Sequence, residues 1–229
     1  MKALITQSNY IPWKGFFDAI ALADVVVLYD EMQYTKRDWR NRNKIKTPNG
    51  LQWLSIPVQV KGKYHQKINE TKTSGDEWQQ KHWNSLLHNY KKAPFFDEFA
   101  TELEQLYLQK SYEYLSDVNR TFIEQICHWL QIDTEIRWSR EFKLSGDKSE
   151  KLLNICKELN ATEYLSGPAA KNYLEVSLFE QAGVNVHWLD YQGYPEYSQL
   201  YGPFEHGVTV LDLLFNTGNE ATKYLKFID

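Results

Sequence analysis

The sequence predicts an α/β protein built on a mostly parallel sheet, and three observations carry that prediction. Ala3–Thr6 and Val25–Tyr29 are short apolar runs without period-two alternation, the pattern of strands covered on both faces. An apolar helical stretch, Phe16–Ala23, lies between them at the spacing of a right-handed strand–helix–strand unit. The same alternation returns beyond residue 132. The expected architecture is a Rossmann-like sheet in two halves, forming one domain over residues 1–229. A β-hairpin and a helical segment are inserted at about 51–132.

The elements follow in chain order. After the first strand comes the loop Gln7–Gly15, then the helix and the second strand, which ends at Asp30. Trp53–Val60 is β-rich and, with Tyr64–Thr73, predicts a hairpin or small meander. Ser74-Gly75-Asp76-Glu77 has the form of a capping box opening a helix that stops before Pro94. Further helices are expected over Phe95–Gln109 and Asp117–Leu130. Then come a strand Thr134–Trp138, a helix Ser149–Leu159 and a strand Thr162–Ser166. A helix Ala169–Ala182 closed by Gly183, a strand Val184–Tyr191 and a helix Thr209–Phe215 ending at Gly218 complete the order.

Composition narrows the function. Lys and Arg number 26 against 30 Asp and Glu, a formal net charge of −4, which argues against nucleic acid as the partner. No apolar run approaches the roughly 20 residues of a membrane span. The start, MKALITQSNY, lacks the layout of a secretory leader, so a cytoplasmic location is expected. Cys127 and Cys156 are the only cysteines and fit a reducing compartment. Without CxxC or HExxH, no metal site is expected. Aromatic residues reach 15 %, which serves either a bulky core or a stacking surface.

In an open α/β sheet ligands bind beyond the carboxyl ends of the strands. Three segments meet that description. In the first loop, Gln7, Asn9 and Tyr10 suit hydrogen bonding to sugar hydroxyls, and equally suit turn closure. After the second strand, Lys36, Arg37, Arg40, Arg42, Lys44 and Lys46 place six cations in eleven residues, interleaved with Trp39 and Asn43. Guanidinium forks there match phosphate or carboxylate, or else pair with Asp38 and Glu31. Asp30 is either a ligand contact or a turn cap. Ser166-Gly167 precedes a helix whose N–H groups suit an anion. On the capped helix, Trp78, His82, Ser85 and Asn89 share one face. That face reads as too polar for pure core and as bordering a cleft, with His82 placed for proton transfer.

Four stretches carry a resemblance over nearly the whole chain. QSNYIPWKGFFDAIALADVVVLYDEMQYTKRDWRNRNKIKTPNGLQWLSIPV and KHWNSLLHNYKKAPFF, with the later YLSG and the Asp-Leu-Leu-Phe-Asn-x-Gly stretch at Asp212–Gly218, resemble the WbqC-like proteins of bacterial surface-polysaccharide loci. Gln7, Asn9, Tyr10, Asp30, Gln33, Arg37, Trp39, Arg42, Asn43 and His82 match that pattern. Ser8 departs from it, standing where a proline is expected, which implies a less rigid loop.

The resemblance implies a part in making O-antigen or capsule sugars. The leading expectation is a transferase that acylates the amine of a nucleotide-linked amino sugar. Arg37 and Arg42 would hold phosphate or carboxylate, Trp39 would stack, Asp30 would orient the amine and His82 would take the proton. No cofactor is expected beyond an activated acyl donor of unknown identity. The partners are a nucleotide sugar or other phosphorylated small molecule and an acyl-carrier protein as a possible donor, without nucleic acid or membrane insertion. Two alternatives stand beside it, an ATP-dependent carboxylate-activating enzyme and a non-catalytic carbohydrate-binding subunit of a glycan-assembly complex.

Overall fold

The structure, a computed structural model, describes residues 1–227; Ile228 and Asp229, the last two of the expected domain, lie outside it. The elements are β1 (Lys2–Thr6), α1 (Lys14–Ala21), β2 (Val25–Leu28), β3 (Arg42–Thr47), β4 (Gly50–Ser55), α2 (Glu77–Tyr90), α3 (Phe96–Leu108) and α4 (Leu115–Trp129). They continue with β5 (Glu135–Trp138), α5 (Lys148–Glu158), β6 (Glu163–Ser166), α6 (Val176–Gln181), β7 (Asn185–Trp188) and α7 (Val210–Thr217).

Five strands form one parallel sheet in the order β5-β2-β1-β6-β7. The first strand is central. The chain moves outward through β2 and β5, then crosses to β6 and β7 on the other side. This is the Rossmann-like order, and the direction reverses between β1 and β6.

The apolar runs are explained by cover on both faces. Leu4, Val26, Leu28 and Leu165 pack into one core with α1, α7 and the inserted helices. Ala3, Ile5, Val25 and Val27 enter the other core against α5 and α6, through Leu152, Ile155 and Phe179. Successive side chains point to opposite faces, so a strand packed on both sides needs apolar residues throughout.

The insertion differs from its expected form. The hairpin is β3–β4, turning through Pro48 and Asn49, so it begins at residue 42. Trp53–Val60 supplies only the end of β4. Tyr64–Thr73 is mostly irregular, joined to its surroundings by single bridges at Gln33–Lys67 and Val58–Thr73. Half the cationic loop is therefore strand. Alternation over Arg42–Thr47 is masked because Arg42 and Lys44 occupy outward positions while Asn43 and Ile45 turn inward, and Lys46 is buried with its Nζ donating to Gln199 and to the carbonyls of Tyr201 and Pro203.

Local signals also shifted. Gly75 adopts φ +71°, leaving Ser74 outside α2, and Asp76 makes no side-chain cap. Asp147 does cap α5: it accepts from the Glu150 backbone N–H at 2.9 Å, and Glu150 Oε2 accepts from Asp147 N at 2.7 Å. The helix expected over Ala169–Ala182 is a 3₁₀ segment Pro168–Asn172 followed by α6. Among the described residues no helix is long and apolar enough to cross a membrane.

Candidate functional site

The parallel strands bring their carboxyl ends together at one edge. Gln7 and Ser8 leave β1, Asp30 and Glu31 follow β2, Ser139 and Arg140 follow β5, and Gly167 follows β6. Two adjoining clefts open there.

The larger, about 720 Å³, lies at the reversal between β1 and β6. Gln7, Ser166 and Gly167 form its floor from the strand ends. Its charge comes from Arg40, Lys67, Lys148 and Lys151, against the single carboxylate of Glu31. Among the described residues none of the three lysines is in an ion pair. Lys148 and Lys151 stand on the first turn of α5, held by the Asp147–Glu150 cap.

The smaller cleft, about 470 Å³, is lined by Asp30, Glu31, Glu70 and Asp117, with Lys72 and Arg140. Its floor includes Ser116 and Ser139. Glu31 lines both clefts and accepts a short hydrogen bond from Ser139 Oγ.

A buried network runs between them. Asp30, 1 % exposed, accepts from Ser8 N at 2.8 Å, Ser8 Oγ at 2.7 Å and Ser116 Oγ at 2.6 Å. Asn119 Nδ2 donates to Ser8 Oγ and to the Arg40 carbonyl, both at 2.9 Å. Arg40 in turn donates from Nη1 to Asn9 Oδ1 and lies 4.0 Å from Asp38. Burial lowers the Arg40 pKa, while Asp38 and Asp30 draw it back up. Ser8 thus anchors its loop, correcting the expectation of a looser one.

A sequence profile of the WbqC-like protein family matches residues 7–224. The chain belongs to that family. Over 226 residues it is 50 % identical to Rv1507c of Mycobacterium tuberculosis (strain ATCC 25618 / H37Rv), described as an uncharacterized protein, covering 99 % of this chain and 98 % of the relative. No solved structure matches.

The WbqC-like motif residues divide between cleft, core and outer surface. Gln7, Ser166, Gly167 and Asp30 line clefts, and Asn9 positions Arg40. The N–H groups after Gly167 belong to a five-residue 3₁₀ turn, so the expected helix N-terminus is not there.

His82 is 6 % exposed and lies among the rings of Tyr10, Trp78 and Tyr107. Its Nδ1 is 2.9 Å from Tyr10 Oη, which is 2.5 Å from Tyr107 Oη. Burial lowers its pKa to about 4, so it is neutral near pH 7. It lines neither cleft, which corrects the reading of its helix face: the Tyr10 hydroxyl satisfies His82, while Ser85 and Asn89 donate to the carbonyls of Lys81 and Ser85 in their own helix.

Asn43 is likewise internal, donating from Nδ2 to the carbonyls of Tyr10 and Ile11. Gln33 is exposed and donates to the Tyr64 carbonyl at 2.8 Å. Arg37, Trp39 and Arg42 line neither cleft. Arg42 covers a Trp53 face at 4.0 Å and donates to the Arg37 carbonyl.

The sequence pattern does not mark the cleft cations Arg40, Lys67, Lys148 and Lys151 as binding residues. Nothing in the cationic run distinguishes Arg40 from its neighbours. Asp147-x-x-Glu150 was the available signal for the other helix, since it fixes which lysines occupy the first turn.

Proposed function

We propose that this WbqC-like protein binds a nucleotide-linked amino sugar and acylates its amine, in the service of surface-polysaccharide assembly. The observation that carries the reading is Glu31, shared by a cation-rich cleft at the sheet's reversal point and a carboxylate-rich cleft beside it. The cations suit a diphosphate, and the reversal point of a parallel sheet is where nucleotides are bound in this architecture. The neighbouring carboxylates suit an amine.

In this reading Lys148, Lys151, Lys67 and Arg40 hold the diphosphate. Asp30 is held rigid by its three donors and orients the amine with Asp117. Glu31 takes the amine proton as nitrogen attacks the donor carbonyl. The new C–N bond replaces the bond from the acyl carbon to its leaving group, which departs with the electron pair. His82 has no part in the chemistry.

The test is mass spectrometry of UDP-linked amino sugars incubated with acyl thioesters. An N-acylated product supports the proposal. Pyrophosphate release from ATP and a carboxylic acid would replace it with carboxylate activation. Tight sugar binding without turnover of any donor would leave a carbohydrate-binding subunit.

A further inference from the structure

We infer that the outer face of the β3–β4 hairpin docks an acidic acyl-carrier protein that presents the acyl donor. The inference rests on the acyl-transfer reading above and concerns a surface outside both clefts.

The hairpin has two unlike faces. Asn43, Ile45 and Leu54 turn inward and are buried. On the other face Lys44 stands opposite Trp53, with Arg42 one pair away. Trp39 packs on Trp53 with ring centroids 5.4 Å apart, and the two indoles are 42 % and 40 % exposed. Leu51, 43 % exposed, extends the apolar part. Large apolar side chains left open in this way mark an interaction surface.

The charge selects the partner. Lys36, Arg37, Arg42 and Lys44 form no ion pair among the described residues, in a chain whose net charge is −4. Asp38, 4.0 Å from Arg40 and hydrogen-bonded to Thr35, is the carboxylate beside them, and the cationic balance of this face favours an acidic surface and speeds its encounter. Trp and Arg are also the residue types that dominate protein–protein binding energy.

Ring geometry favours protein over nucleic acid or glycan. The indoles are tilted 40° against each other, and Arg42 covers a Trp53 face at 4.0 Å while Lys44 lies 5.2 Å from it. Base or sugar stacking needs an open ring face. Cations take one face of Trp53, and the patch pairs exposed indole surface with a cationic rim. Trp39 is followed directly in the chain by Arg40, which lines the larger cleft.

The experiment measures binding of the full chain to holo acyl-carrier protein from the same source organism, by interferometry at low and physiological salt. Lys44→Glu and Trp53→Ala are the variants, neither in a cleft. Saturable binding that weakens as salt rises, and falls about tenfold or more in Lys44→Glu, is expected. Absence of saturable binding at low salt overturns the inference. So does binding by both variants that is unchanged from the unsubstituted chain, tighter binding of heparin or single-stranded DNA, or self-association through this face in sedimentation.

A parallel thermal-shift series with UDP-linked amino sugar separates the two readings. Carrier binding without a sugar shift leaves the docking face and removes the acyl-transfer reading. Acylation of the sugar without carrier binding removes the docking face alone.

Discussion

Ser8 grips Asp30 twice, donating its backbone N–H to one carboxylate oxygen at 2.8 Å and its hydroxyl to the other at 2.7 Å. Two strand ends are thereby locked together beneath the smaller cleft, which Asp30 lines. Asp30→Asn keeps the shape but offers one acceptor oxygen where two carboxylate oxygens serve three donors. A loss of about 1–3 kcal/mol in unfolding free energy is expected, read from urea denaturation. Unchanged stability would mean that the network contributes little.

Lys148→Ala and Lys151→Ala should each weaken binding of a UDP-linked sugar by about tenfold or more, the effect of losing one charged hydrogen bond. Asp147 and Glu150 remain, so melting temperature should hold. Calorimetry at two salt concentrations checks both points, because each variant should also reduce the salt dependence.

Glu31→Gln should lower turnover by about 10²–10⁴-fold while sugar affinity changes little. Gln retains an oxygen to accept from Ser139 Oγ, so the fold should persist. Steady-state kinetics beside a binding isotherm gives the separation. Full activity would take Glu31 out of the reaction.

His82 should make stability depend on pH. Its folded pKa is about 4 and its ordinary value 6.5, so between those values the unfolded chain binds more protons. Stability from this group is complete above about pH 6.5 and falls as the pH drops toward 4, by up to about 3 kcal/mol. Unfolding of His82→Gln across this range should show a flatter profile, with turnover retained. A large loss of turnover in a folded variant would return His82 to the chemistry.

Gly218→Ala should destabilise by about 1–3 kcal/mol, because φ is +57° and an added Cβ would lie 2.5 Å from the Phe95 ring. Combining it with Phe95→Ala should recover the steric part and leave the backbone part, a coupling visible in a double-mutant cycle.

The sheet was legible because strands covered on both faces must be apolar at every position, as Val25–Leu28 is. Helices were legible from their apolar spacing, as in α3 and α4. The hairpin was not, because its outward positions carry Arg42 and Lys44, which read as a cationic loop. The cleft lining was legible where it follows from strand ends, as for Gln7, Asp30, Ser166 and Gly167. It was hidden where residues distant in sequence converge. His82 looked free because its hydrogen-bond partner, Tyr10, lies 72 positions away. Conversely, Lys67 and Lys151 meet only through the folding of the insertion against the second half of the sheet.

The central position of β1 has a consequence for the order of assembly. Leu4 pairs with Val26 on one side and with Leu165 on the other. A chain emerging from the ribosome can join β1 to β2 early, yet the second edge of β1 stays open until residues 163–166 appear. An open apolar edge is a template for pairing with other chains. Closing it also needs a long loop, which slows folding. A fragment ending before Glu163 should therefore aggregate, whatever its helices achieve, and the second half of the sheet serves the first as its missing neighbour.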